Sequence, residues 1–171
     1  MRTLKTALCV FVCLSIYWIF SFAGSFFEGG GIFNFFKAAV LDGSPSFACI
    51  AAVICMQDNI ERSKKVALSR IIGSVIGGGT AVLFLHVSGK ILSGKLYILF
   101  AVTGVILIIC ICNFLNNPIS VSISVITFLI VFVGTDVTFP IYFAVNRVIG
   151  TLIGAFSALS INRFIAPPKK E

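Results

Sequence analysis

The chain has 171 residues, of which 58% are hydrophobic and 11% charged, with a formal net charge of +7; its mean hydropathy is +1.10. A soluble domain is nearer half apolar and about a quarter charged. The composition therefore excludes an ordinary soluble enzyme and describes one compact integral membrane domain, with no room for a catalytic domain outside the bilayer. The basic residues flank apolar runs, which assigns them to topology and anionic headgroups rather than to nucleic acid.

A membrane span needs about 20 apolar residues. The first candidate runs from Leu4 to Ala23. Arg2 and Lys5 precede an apolar core and Ser21-Phe22-Ala23 imitates a cleavage site, but the apolar run of about 18 residues is long for a signal-peptide core. We read it as a retained helix. The second candidate, Ser44 to Gln57, is short and extends backwards through Ala38–Leu41 if it is to cross. Before it, residues 24–43 hold Gly29-Gly30-Gly31 and then Ile32–Lys37, which reads as a loop followed by a short interfacial helix.

The third candidate covers Val66 to Val87, the fourth Leu96 to Leu115, the fifth Ile119 to Gly134 and the sixth Ile141 to Ile165. Six spans give an even count, so both termini lie on one side. With the N-terminus inside, the inner loops carry Arg2, Lys5, Arg62, Lys64, Lys65, Arg163, Lys169 and Lys170, against Lys37, Lys90 and Lys95 outside. This bias places both termini in the cytoplasm of a plasma-membrane protein.

A motif is stated twice. Ser69-Arg70-Ile71-Ile72-Gly73-Ser74-Val75-Ile76-Gly77 returns as Asn146-Arg147-Val148-Ile149-Gly150-Thr151-Leu152-Ile153-Gly154, at one offset of 77 residues. Pro45 and Pro118 open the second and fifth spans, and Asp58-Asn59 and Thr135-Asp136 close them. Each half holds three helices, an odd number, so the halves enter from opposite faces. The expected fold is an all-α integral membrane protein with six transmembrane helices as two inverted three-helix repeats. Residues 1–168 form this single domain, with repeat one about 1–90 and repeat two about 91–168, and 169–171 are a short cytoplasmic tail without a soluble domain.

Arg70 and Arg147 are the leading site candidates. With helix three starting near Ser63 and helix six near Pro140, each lies seven residues in, roughly 10 Å along the axis. An arginine in a span costs about 2.5–3.5 kcal/mol on insertion scales and therefore snorkels, pairs or lines a wet cavity. One reading is an anion-binding guanidinium in each half, with a forked donor pair suited to carboxylate. The other is structural, a head group that snorkels or holds loop carbonyls. Gly73-x-x-x-Gly77 and Gly150-x-x-x-Gly154 share a helix face with these arginines and read as close-packing positions, for helices three and six or for two protomers.

Acidic residues fall near span ends or in loops. Asp136 and Asp58 are the best-placed carboxylates, and Gln57 is a further polar candidate at the end of the second span. His86 reads as interfacial. The six cysteines contain no CxxC pair and there is one histidine, so neither a disulfide framework nor a metal site is expected. No nucleophile–base set or phosphate-cradling loop is visible; no enzyme and no cofactor are expected.

The run Pro45–Gln57, followed after a basic loop by Ser69–Gly77, resembles the membrane domain of the aromatic acid exporter family, related to the fusaric acid resistance family. The close Arg147-x-x-Gly150-Thr151-x-x-Gly154, then Asn162 and Pro167-Pro168, resembles the end of the same domain. The resemblance implies a six-helix inner-membrane module, often followed by a cytoplasmic domain, in proteins thought to export aromatic carboxylates. Two departures stand out: the sequence stops at Glu171, and Ser74 stands where threonine is usual. Two functions follow. The first is export of small organic anions by alternating access, in a homo-oligomer and with a cytoplasmic part supplied as a separate chain. The second is a non-transporting structural or assembly subunit.

Overall fold

The computed structural model describes residues 2–26, 45–88, 95–134 and 140–164. Among these residues the chain forms six helices: α1 (Arg2–Phe26), α2 (Ser46–Cys55), α3 (Ile60–Ser88), α4 (Lys95–Phe114), α5 (Pro118–Gly134) and α6 (Pro140–Phe164). The described part is all-helical. Three stretches are long and apolar enough to cross a membrane: Ile60–Val87, Tyr97–Phe114 and Ile141–Phe164. The shorter apolar helical stretches are Thr3–Ile19, Ser46–Cys55 and Pro118–Gly134.

Two expectations need correction. The second span was expected over Ser44–Gln57, but α2 has ten residues and so rises about 15 Å, half of a hydrocarbon core about 30 Å thick. It ends because Met56 turns to extended backbone at φ −74° and ψ 93°. The third helix starts at Ile60, not near Ser63 or Val66. Its polar opening turns are helical although hydropathy reads them as a loop, and Arg70 therefore lies ten residues in rather than seven. The glycine-rich loop, the helix at 32–37 and the backward extension of α2 lie outside the described residues.

The structure falls into two compact units, Met1–Leu68 with Ile149–Glu171, and Ser69–Val148. In the first unit, Cys9, Cys13 and Tyr17 are buried at a four-residue spacing on α1, one face of a helix. The buried face of α2 is Ala48, Ala51, Ala52 and Cys55. Small side chains let α6 come down on the α2 backbone. A Cβ on Gly150 would stand 3.6 Å from the Ala48 nitrogen, and one on Gly154 would collide with the Ala48 carbonyl and lie 2.8 Å from the Ala51 Cβ. Packing of this kind replaces the hydrophobic drive that lipid cannot supply.

In the second unit the same motif meets a different helix. A Cβ on Gly73 would be 3.0 Å from the Ser120 carbonyl oxygen, and one on Gly77 would collide with the Ser124 carbonyl and stand 3.0 Å from the Thr127 Cβ. The two glycine pairs thus face α5 and α2 respectively. The core of this unit is formed by Ala81, Leu85, Ile108, Cys112, Phe128, Val131, Phe132 and Ala144. The Phe84 ring meets Phe128 edge-on at 5.9 Å, Phe128 stacks on Phe132 at 5.3 Å, and Phe132 stacks on Tyr97 at 4.8 Å. The Tyr97 hydroxyl donates to the Phe132 carbonyl at 2.9 Å.

The turn from α4 to α5 follows from Asn116-Asn117-Pro118. Asn116 takes a left-handed conformation, φ 51°, which asparagine tolerates better than most residues. The Asn117 amide then returns to the Cys112 carbonyl at 3.2 Å, closing α4 as helix C-termini usually close. Pro118 starts α5, where its fixed φ suits a first helical position.

Candidate functional site

Arg70 and Arg147 hold matching places in the repeated motif and both fall in the second unit. Both are half-buried. Nε and Nη1 of Arg70 and Nε of Arg147 are buried donor atoms, and each side chain has polar or electrostatic interactions of its own. Each brings a guanidinium cation into this unit. A partly buried guanidinium raises the local electrostatic potential, and an anion entering that potential is stabilised.

Ser69 directly precedes Arg70 in α3. Ser69 is buried and is bonded twice to the start of α5. Its hydroxyl donates to Asn117 Oδ1 at 3.2 Å, and its backbone carbonyl accepts from the Ser120 hydroxyl at 3.0 Å. The ladder continues up α5, where the Ser124 hydroxyl donates to the Ser120 carbonyl at 2.8 Å and Cys112 Sγ lies 3.4 Å from Ser124 Oγ.

Gln57 belongs to the first unit. Its side chain donates to the Ile54 carbonyl at 2.9 Å, its amide donates to Ser63 Oγ at 3.1 Å, and its carbonyl accepts from Asn162 Nδ2 at 3.0 Å. The same Asn162 nitrogen donates to Ser63 Oγ at 2.9 Å. Gln57 thus sits in a three-residue polar knot that holds the end of α6 against the α2–α3 turn. Asp136 lies outside the described residues. Asp58 and His86 are exposed.

Ser63, Ser69, Asn117, Ser120 and Ser124 were not singled out from the sequence. The available signal was the spacing of Ser120, Ser124 and Thr127 on one face of an otherwise apolar helix. An apolar groove of about 320 Å³ runs beside Ile16, Leu152, Ile153, Phe156 and Ser157 in the first unit. Among the described residues no basic side chain lines it, and its walls are apolar apart from Ser157. Among the described residues no group of histidine, cysteine or acidic side chains could hold a metal ion. The six cysteines are all free.

The fusaric acid resistance protein-like family model matches residues 29–161. The chain belongs to this family. With its long apolar helices, that makes it a membrane protein. It is 29% identical over 142 residues to a UPF0421 protein of Staphylococcus epidermidis strain RP62A, covering 81% of this chain and 42% of the relative. It is 28% identical over 130 residues to a UPF0421 protein of Staphylococcus haemolyticus, covering 76% and 38%. It is 26% identical over 129 residues to the UPF0421 protein YgaE of Bacillus subtilis, covering 75% and 34%. The chain therefore spans between 34% and 42% of the length of these relatives. No solved structure matches it significantly.

Proposed function

We propose that this chain is the membrane module of a plasma-membrane exporter of small organic anions, aromatic carboxylates in particular, with Arg70 and Arg147 receiving the carboxylate. The observation that carries the reading is the presence of both motif arginines, half-buried, in one compact unit. Guanidinium offers a forked donor pair to a carboxylate. Family membership supports the substrate class, since the fusaric acid of its description is a small aromatic carboxylic acid.

An inverted-repeat architecture with alternating access accompanies this reading. Support comes from a reciprocal pattern: the glycine face of α3 lies on α5 within one unit, and that of α6 lies on α2 within the other. Each long helix of one half thus packs on the short second helix of the opposite half. Both termini are cytoplasmic in this scheme. A homo-oligomer completes the wall of the pathway, and a cytoplasmic part of the kind its longer relatives have room for supplies further control.

A second reading, a non-transporting assembly subunit, draws on the same glycines. Their close fit to helix carbonyls gives the motif a packing role that needs no substrate.

Transport separates the two. The purified chain is placed in proteoliposomes with radiolabelled benzoate inside, with and without an imposed proton gradient. The exporter reading predicts gradient-dependent efflux that Arg70→Ala and Arg147→Ala each abolish while the protein stays folded. No efflux from folded wild type, across a panel of aromatic acids, favours the assembly subunit.

A further inference from the structure

We infer that Ser69, held by Asn117 and Ser120, is a positioning residue that sets where the Arg70 guanidinium stands, and so sets the affinity of the anion site. This rests on the arginine-site reading above and adds to it the part of the protein that builds the site.

Ser69 lies within α3. It directly precedes Arg70, so a turn or slide of the helix at Ser69 moves Arg70 with it. The Ser69 carbonyl is inside a helix and already has a helical partner available one turn on. The Ser120 hydroxyl adds a second bond to that carbonyl, at 3.0 Å. The Ser69 hydroxyl reaches the other way, to Asn117 Oδ1. Two bonds from one residue, to positions three apart at the start of α5, fix rotation as well as height. Ser69 and Ser120 are buried, at 3% and 0% exposure. Water does not compete for the bond between the Ser120 hydroxyl and the Ser69 carbonyl.

The rest of the seam makes the clamp stiff. Gly73 and Gly77 bring α3 against the carbonyls of Ser120 and Ser124 with no side chain between. Asn117 is itself fixed, since its amide closes α4 on the Cys112 carbonyl and its carbonyl accepts the Ser120 amide at 3.0 Å. A serine in a membrane helix commonly bonds its own preceding turn, as Ser15 does with Phe11. Ser69 and Ser120 bond across helices instead. A binding group must be held within about 0.5 Å of its productive position, and Arg70, long and half-buried, needs such support from its backbone.

The test is equilibrium binding of radiolabelled benzoate to the purified full chain, with folded fraction followed by size-exclusion chromatography and thermal unfolding. Ser69→Ala removes the hydroxyl donor and is expected to raise Kd three- to tenfold with an unchanged number of sites. Ser69→Thr keeps the hydroxyl and is expected to restore the wild-type Kd. Restoration by threonine is a readout that packing volume alone would not give. Should Ser69→Ala fold poorly, Ser120→Ala removes the bond to the Ser69 carbonyl and carries the same expectation. Unchanged Kd in Ser69→Ala and Ser120→Ala, with binding lost in Arg70→Ala, overturns the positioning role and leaves the arginine site standing. Unchanged binding in Arg70→Ala, or no binding by folded wild type, overturns both.

Discussion

The Ser124 carbonyl occupies the space into which a Cβ on Gly77 would have to project. The corresponding glycine of the second motif copy, Gly154, stands in the same relation to the Ala48 carbonyl. Both long helices therefore touch backbone rather than side chains at the point of closest approach, and the contact tolerates no added atom.

Gly77→Ala and Gly154→Ala should each destabilise the protein by about 1–3 kcal/mol, the usual cost of overpacking a tight core. Gly79 is the control. A Cβ there meets nothing within 4 Å, so Gly79→Ala should be neutral or stabilise by up to about 1 kcal/mol through helix propensity. Thermal unfolding in detergent checks all three, and equal effects at the three positions would contradict the packing account.

Asn162→Ala should cost about 1–3 kcal/mol, because it strips the shared donor from a buried serine hydroxyl and a backbone carbonyl. The partners are Gln57, in the turn between α2 and α3, and Ser63, in the first turn of α3. Asn162→Asp keeps the shape but presents acceptors where a donor is needed, and should be at least as damaging. Stability equal to wild type in both variants would show that the knot contributes nothing.

Tyr97→Phe isolates one hydrogen bond. The ring keeps its stack on Phe132 while the hydroxyl loses the Phe132 carbonyl, a loss of about 0.5–1.5 kcal/mol. Tyr97→Ala also loses the stack and should cost about 3–5 kcal/mol in total. A similar loss in both variants would assign the stability to the hydrogen bond rather than the rings.

Much of the helical layout was legible in the sequence. The expected limits of the fourth, fifth and sixth helices lie within one residue of α4, α5 and α6. They are bounded by Asn-Asn-Pro, by Pro140 and by polar residues, and apolar content changes sharply there. The start of α3 was not legible, because hydropathy measures fitness for lipid and not helicity, and Glu61, Arg62, Lys64 and Lys65 are good helix formers. The arginines were visible as a pair only by their offset. That both fall in one compact unit depends on which helices pack, and offset does not encode that. The serine clamp was hidden for a related reason, since the partner of a membrane serine is chosen by the helix that comes to lie opposite it.

The proposed cytoplasmic placement of both termini requires the segment between α3 and α4 to face away from the cytoplasm. A Lys90→Cys variant should react with a membrane-impermeant maleimide added to intact cells, and a cysteine introduced at Thr3 should react only after the membrane is opened. Labelling of both from outside, or of neither, contradicts the orientation.

The central claim is that Arg70 and Arg147 serve one anion. A double-mutant cycle on benzoate binding tests it most directly, with Arg70→Ala, Arg147→Ala and the double variant measured under one set of conditions. Shared recognition predicts strong coupling, with the second substitution costing much less affinity than the first, as expected for residues that act together. Strictly additive losses, or binding that survives either single substitution unchanged in folded protein, would contradict a joint site.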